Sequence, residues 1–153
     1  MDEVSIEQLK SSRMREFHAY WNSKQRGIVL PQRQDIDPAE IKSHLPYLVL
    51  VDIEVDPFRV RYRLCGSMVQ QYDEELTGKY LDELRNTDPA TIGLIYEYYR
   101  LVVAERRPVF VQGHSISRPT GNNLTMEGGI WPLSSDGRSI DKCVAIEDFP
   151  DLL

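Results

Sequence analysis

The chain has 153 residues, enough for one domain to bury a core without metal or disulfide staples. Its 41% hydrophobic and 27% charged content is that of a soluble globular protein. A formal net charge of −6 and a pI of about 5.1 set the whole-molecule field against nucleic acid and anionic lipid.

Two cysteines, Cys65 and Cys143, do not make a secreted disulfide framework. Both fall in strand-like runs, where a free cysteine behaves as a small buried hydrophobe. Asp2, Glu3, Glu7 and Lys10 exclude a signal-peptide core at the start of the chain. The longest apolar stretch, 45–51, is far too short to span a bilayer. The expectation is a cytoplasmic protein that engages neither nucleic acid nor membrane.

In chain order, Ser5 and Gln8 have capping-box spacing, so a helix is expected to start there. Met14, Phe17, Tyr20 and Trp21 recur behind it at helical spacing, and Gly27 supplies a stop. The aromatic residues Phe17, Tyr20 and Trp21 need cover. They either pack on the chain's own sheet or form a dimer interface. Asp37, Pro38 and Glu40 start a second helix of about two turns, halted by Leu45-Pro46. Residues 1–44 thus read as an N-terminal helical extension, for capping or dimerisation, before a core domain over 45–153.

Residues 48–55 are β-branched and apolar on both faces up to Asp52 and Glu54, the pattern of a buried strand. Asp56-Pro57 turns the chain, and a second strand follows over 58–65 as a hairpin. There Phe58, Val60, Tyr62 and Leu64 alternate with Arg59, Arg61 and Arg63, the period-2 signature of a half-buried strand. Gly66 ends it. Met68, Val69 and Tyr72 suit a short helix that stops near 73–75, and Gly78 turns the chain into another.

Asp88 and Pro89 open the longest helix as N-cap and first residue. Ile92, Ile95, Tyr96, Tyr99, Val102 and Val103 form its apolar stripe, with Arg106 and Arg107 in the last turn before Pro108. Strands follow over 109–116, over 124–133 with an interruption at Gly128-Gly129, and over 141–148. A loop at 117–123 and an Asp136-Gly137 hairpin turn separate them. Five strands joined by hairpins and one helical crossover describe an α+β fold, an antiparallel sheet with helices on one face.

These pieces together resemble the PAS domain superfamily, and more narrowly a family of small stand-alone bacterial PAS proteins. The similarity runs through Trp21, Arg26-Gly27, Leu30-Pro31-Gln32-Arg33 and Asp35-Ile36-Asp37-Pro38. It continues through Leu45-Pro46, Leu48, Leu50, Asp52, Arg61-Tyr62-Arg63-Leu64-Cys65-Gly66 and Leu76-Thr77-Gly78. Trp131-Pro132-Leu133 and Asp136-Gly137 complete it. The resemblance implies a PAS-like five-stranded sheet, a role in signal transduction, and a homodimer formed through the N-terminal helix. It supplies no ligand.

Two chemistries that such a fold can host are then tested on the residues. A flavin photoreceptor of the LOV type needs a reactive cysteine in a Gly-Arg-Asn-Cys motif, and Gly78-Lys79-Tyr80-Leu81 stands there instead. A haem sensor of this fold takes an axial histidine from the long helix, and 89–107 holds none. His18, His44 and His114 lie on three elements without metal-ligand spacing, so no metal is expected. No nucleophile–base set or acid–base pair can be argued, so no catalytic residues are assigned.

What remains is an apolar and aromatic pocket between sheet and long helix. Its candidate residues are Tyr62, Leu64, Met68, Tyr72 and Leu84, then Ile95, Tyr99 and Val102 from the long helix. Val111, Trp131, Val144 and Ile146 come from the last strands. These side chains either fill the core or enclose a small apolar or amphipathic ligand with a polar handle from a tyrosine or Trp131. Arg59, Arg61 and Arg63 are the candidate surface for a signalling partner, or else a solvated face paired with acidic neighbours. The expected function is a PAS-like sensory and signalling module with no output domain of its own. A ligand-free protein-interaction adaptor is the alternative, ahead of a small enzyme in an α+β cup.

Overall fold

A computed structural model describes residues 1–72, 75–116 and 121–151. Among them, strands β1 (Asp2–Val4), β2 (Leu48–Glu54), β3 (Arg59–Cys65), β4 (Val109–Ile116), β5 (Asn123–Leu133) and β6 (Lys142–Asp148) form one antiparallel sheet. Its order is β1-β4-β5-β6-β2-β3. The five expected strands are all present. The sixth, β1, adds to the β4 edge, where Glu3 pairs with Val111 in register and its carboxylate meets Arg107 at 2.9 Å. Parts of the loops expected near 73–75 and 117–123 lie outside the described residues.

Helix α3 (Pro89–Glu105) matches its local signals: Asp88 accepts from the Thr91 amide at 3.0 Å, and Arg106 closes the end in the left-handed region at φ 57°. The short helix after Gly66 is α2 (Ser67–Tyr72). The N-terminus departs from expectation. Ser5 and Gln8 do form their capping box, with the Ser5 amide donating to Gln8 at 2.8 Å, but they cap only the 3-10 turn Ile6–Gln8. Leu9 is then extended and buried, and α1 (Ser12–Lys24) begins only after Ser11, whose Oγ accepts from the Met14 amide. The reason is tertiary. The Lys10 and Ser11 amides are taken by the buried Glu127 carboxylate, so the helix cannot run through them.

The second expected helix is likewise shorter than its cap suggests. Asp37 accepts from the Ala39 amide at 2.9 Å, but Pro38–Glu40 is a single 3-10 turn, and Leu45–Tyr47 is another. Gly128 and Gly129 do not interrupt β5, which runs unbroken. A Cβ on Gly129 would lie 2.6 Å from the Trp131 ring, so glycine here makes room for a side chain two residues on.

The sheet is covered on both faces. Helix α3 lies across one. Helix α1 lies across the other, where Met14, Phe17 and Trp21 are buried and Trp21 donates its indole N–H to the Pro132 carbonyl at 3.0 Å. Residues from both 1–44 and 45–153 contribute to one hydrophobic core. No helix among the described residues is long and apolar enough to cross a membrane.

Candidate functional site

The geometry of any site here turns on one irregularity in the β2–β3 hairpin. Val51 pairs with Tyr62, but the next residue along, Leu50, pairs with Leu64. Arg63 is the extra residue of a β-bulge, and an extra residue reverses which face the following side chains occupy. Tyr62 therefore sits beneath α3 and is buried, whereas Leu64 emerges on the α1 face with 56% of its surface exposed. The expectation that Tyr62 and Leu64 share one pocket is corrected.

The other pocket candidates divide in the same way. Tyr99 and Val102 descend from α3 onto Tyr62, with Val111 farther along the same sheet face, all buried. Leu84 is buried beside the 3-10 turn Leu81–Glu83, and Ile95 packs half-buried on this core. Met68 is half-buried on α2, and the Tyr72 side chain lies outside the described residues. Burial lifts the Tyr99 hydroxyl well above the ordinary tyrosine range, with Tyr62, Cys143 and Cys65 as its titratable neighbours. The Cys143 thiol is raised by burial too, which makes it an inert core group.

Trp131, Val144 and Ile146 lie on the opposite face, beneath α1 and the 33–47 segment, because Trp131 pairs with Val144 and Gly129 with Ile146 in register. They belong to a different assembly from Tyr62 and Tyr99. Phe17 meets the Trp131 ring edge-on at 4.7 Å, and Trp131 donates its indole N–H to His18 Nδ1 at 3.1 Å. His44 packs edge-on to Phe17, and its Nδ1 is buried without a hydrogen-bond partner among the described residues. Burial lowers the pKa of both His18 and His44.

Sequence reasoning missed the polar latch of this face. Glu127 is completely buried and accepts from the Lys10 amide at 2.9 Å, the Ser11 amide at 2.7 Å and Gln112 Nε2 at 2.8 Å. Asp148 takes the Ser11 hydroxyl at 2.6 Å and Arg13 at 2.8 Å. A charged residue among apolar ones at a β5 position, next to two glycines, was the available signal. Of the dimer-helix candidates, Phe17 and Trp21 are used up against this sheet face, and Tyr20 is half-buried, with its hydroxyl donating to Glu40 at 3.0 Å. Phe17 and Trp21 offer no surface to a second copy while this packing holds.

Beside α1, between the 33–45 segment and the β2–β3 end of the sheet, lies a cavity of about 230 Å³. Leu48, Leu50, Leu64 and Val144 line its sheet side, and Ile36, Pro38, Ile41 and Leu45 its other side, with Arg33 as the one charged lining residue among the described residues.

Such a sheet, with a helical crossover on one face, is the observation against which known proteins can be compared. A PAS-domain family matches residues 9–145, which takes in α1, strands β2 to β5 and the first part of β6. The chain belongs to the PAS domain family. Among solved structures, the PAS domain of BvgS from Bordetella pertussis superimposes with a TM-score of 0.52 at 16% identity, over 72% of this chain and 81% of that one. A light-oxygen-voltage domain studied with a flavin analogue gives 0.47 at 14% identity, over 74% and 85%, a likeness that carries nothing further. No curated protein matches the chain.

Within this PAS fold, Leu81, at the position where a LOV motif has its cysteine, is fully buried, and Tyr80 donates its hydroxyl to Glu54 at 2.7 Å. His114 is exposed. The three arginines do not form one uniform face. Arg59 grips Asp82 with two hydrogen bonds, at 3.0 and 2.7 Å, and stacks on Tyr80. Arg63, displaced by the bulge, meets Asp52 at 3.2 Å, and Lys142 shares that carboxylate at 2.6 Å. Arg61 keeps a buried Nε with no hydrogen-bond partner among the described residues. No cluster of three or more metal-ligating side chains occurs among them.

Proposed function

We propose that this PAS protein is a cytoplasmic sensory and signalling module that responds to a small molecule, a protein partner or both, and acts as a homodimer or through that partner without chemistry of its own. The observation that supports it is the asymmetry of the sheet. The α3 face is packed around Tyr99 and Val102, whereas α1 adds to its buried Met14, Phe17 and Trp21 a set of polar ties through Glu127, Asp148 and His18. When α1 undocks, these groups regain water together, which offsets part of what their bonds contribute, so α1 is the element a signal can move.

The reading contains no flavin-adduct step, with Leu81 in place of the thiol, and no haem ligand from α3. It contains no catalytic step either. The dense packing around Tyr99 favours one second reading, a ligand-free adaptor whose α3-face pocket is simply core.

Native mass spectrometry of the protein as purified, with thermal shifts across a metabolite panel, separates the two. A retained non-covalent mass or a shift of several degrees supports the sensor. A clean apo mass with no shift leaves the adaptor. Sedimentation at several concentrations tests the homodimer, and a monomer throughout removes it.

A further inference from the structure

We propose that the cavity between the 33–45 segment and the β2–β3 end of the sheet is a binding site for a small aliphatic carboxylate, its chain among Ile36, Ile41, Leu50, Leu64 and Val144 and its carboxylate on Arg33. The site lies on the opposite side of the sheet from Tyr62 and Tyr99, so it is separate from the pocket expected beneath α3.

Size sets the ligand class. A cavity of 150 Å³ lined by aliphatic and aromatic groups stays dry and takes up benzene, so 230 Å³ suits about nine non-hydrogen atoms. The walls are aliphatic, which selects a hydrocarbon chain over a sugar or nucleotide. The mouth is apolar as well: Leu45 and Leu64, 37% and 56% exposed, are two of the few large hydrophobic side chains left in water among the described residues. The bulge at Arg63 is what turns Leu64 toward this cavity instead of the core. The end of the cavity is fixed, since a Cβ on Gly66 would collide with the Leu45 and Pro46 carbonyl oxygens, and β3 meets the 45–47 turn backbone to backbone.

Charge sets the handle. Arg33 donates one guanidinium N–H to the Ile36 carbonyl at 3.1 Å and has no carboxylate partner among the described residues. The acidic neighbours are engaged elsewhere. Asp35 accepts from the Gln32 amide at 2.8 Å, Asp37 from Ala39 at 2.9 Å, and Glu40 from Lys24 at 3.2 Å. The remaining donors of the Arg33 fork match a carboxylate in two-point geometry. A cation at the rim of an aliphatic cavity thus selects a fatty-acid-like anion of about eight carbons over a neutral alkane.

Octanoate is the probe, followed by methyl NMR. Saturable shifts are expected at Ile36, Ile41 and Val144, with none at Val102 and Val109 beneath α3. Arg33→Gln should weaken binding about tenfold or more, the loss of a charge-assisted contact. Octanol should bind wild type about as weakly as octanoate binds that variant. Leu64→Trp, at an exposed position that leaves folding intact, should block the mouth and abolish the shifts. No saturation, shifts centred on Val102 and Val109, or an unchanged dissociation constant in Arg33→Gln would each overturn the assignment. So would self-association through Leu45 and Leu64 that octanoate does not disperse. Failure of the octanoate assignment leaves the signalling reading standing, because that reading rests on α1 and also admits a protein partner, and its own tests are separate.

Discussion

The two faces of the sheet are built on different principles. Beneath α3, Tyr62, Val60, Tyr99, Val102 and Val109 interlock as aliphatic and aromatic groups, and the Tyr99 hydroxyl and the Cys143 thiol there are held neutral by burial. Beneath α1, a fully buried carboxylate, two histidines and an indole N–H are woven through the contact, and a cavity remains beside it. Apolar packing is insensitive to pH and small solutes. A polar latch depends on every partner being present and in the right protonation state. The lesson is that the first face maintains the fold while the second is the one that can respond.

The comparison breaks first at its largest side chains. Trp131→Ala and Tyr99→Ala should each cost about 3–5 kcal/mol in urea unfolding, since both empty a full aromatic site. They should differ in where the loss appears. Hydrogen exchange in α1 should accelerate ahead of global unfolding in Trp131→Ala alone. Equal acceleration in both variants would mean that the two faces are one cooperative unit.

Glu127→Gln keeps the shape of the side chain and withdraws its charge and one acceptor from the Lys10, Ser11 and Gln112 donors. A loss of about 1–3 kcal/mol is expected, with faster exchange at the start of α1 and unchanged exchange in α3. An unchanged α1 would show that Glu127 is a passive filler.

A pH titration should separate the faces more gently. The folded-state pKa values of His18 and His44 lie below the ordinary 6.5, by burial, with Glu7 opposing at His18, and Glu16 opposing and Arg13 reinforcing at His44. The unfolded or undocked chain therefore takes up protons first as pH falls. Docking of α1 is at full strength above about pH 6.5 and weakens as pH falls toward the depressed values. The Asp136 turn, its carboxyl held down to about 2 by the Ser139 and Arg138 amides and the Ser134 hydroxyl, should be unaffected over that range. Exchange in α1 and α3 measured from roughly pH 7.5 to pH 5.5 checks this, and parallel changes would count against it.

The smallest effect is expected at the surface. Arg63→Ala breaks a half-exposed pair with Asp52 that Lys142 also serves, and should cost under about 1 kcal/mol in the same urea assay. A larger loss would mean that the bulge depends on that pair.

Much of the fold was legible because its signals are local. The cap at Asp88, the proline at position 89, the hairpin turns at Asp56-Pro57 and Asp136-Gly137 and the arginine-alternating strand each specify their own geometry. The site was legible only in pieces. Tyr62, Tyr99, Val102 and Val111 share one face, but Trp131, Val144 and Ile146, which residue type alone groups with them, lie on the other by register. The long α1 expected from Ser5 failed because Glu127, more than a hundred residues away, competes for its first amides.

By itself, then, the sequence determined strands β2 to β6 and their hairpins, the amphipathic α3 and the PAS family, since periodicity and turn chemistry act over a few residues. Only the tertiary structure decided which face each side chain serves. Side chains alternate with a period of two, so one extra residue at Arg63 is enough to part Leu64 from Tyr62. Nothing in the unbroken alternation from Phe58 to Leu64 announces it. The bulge appears only once β3 is paired with β2, and with it the cavity that Arg33 overlooks.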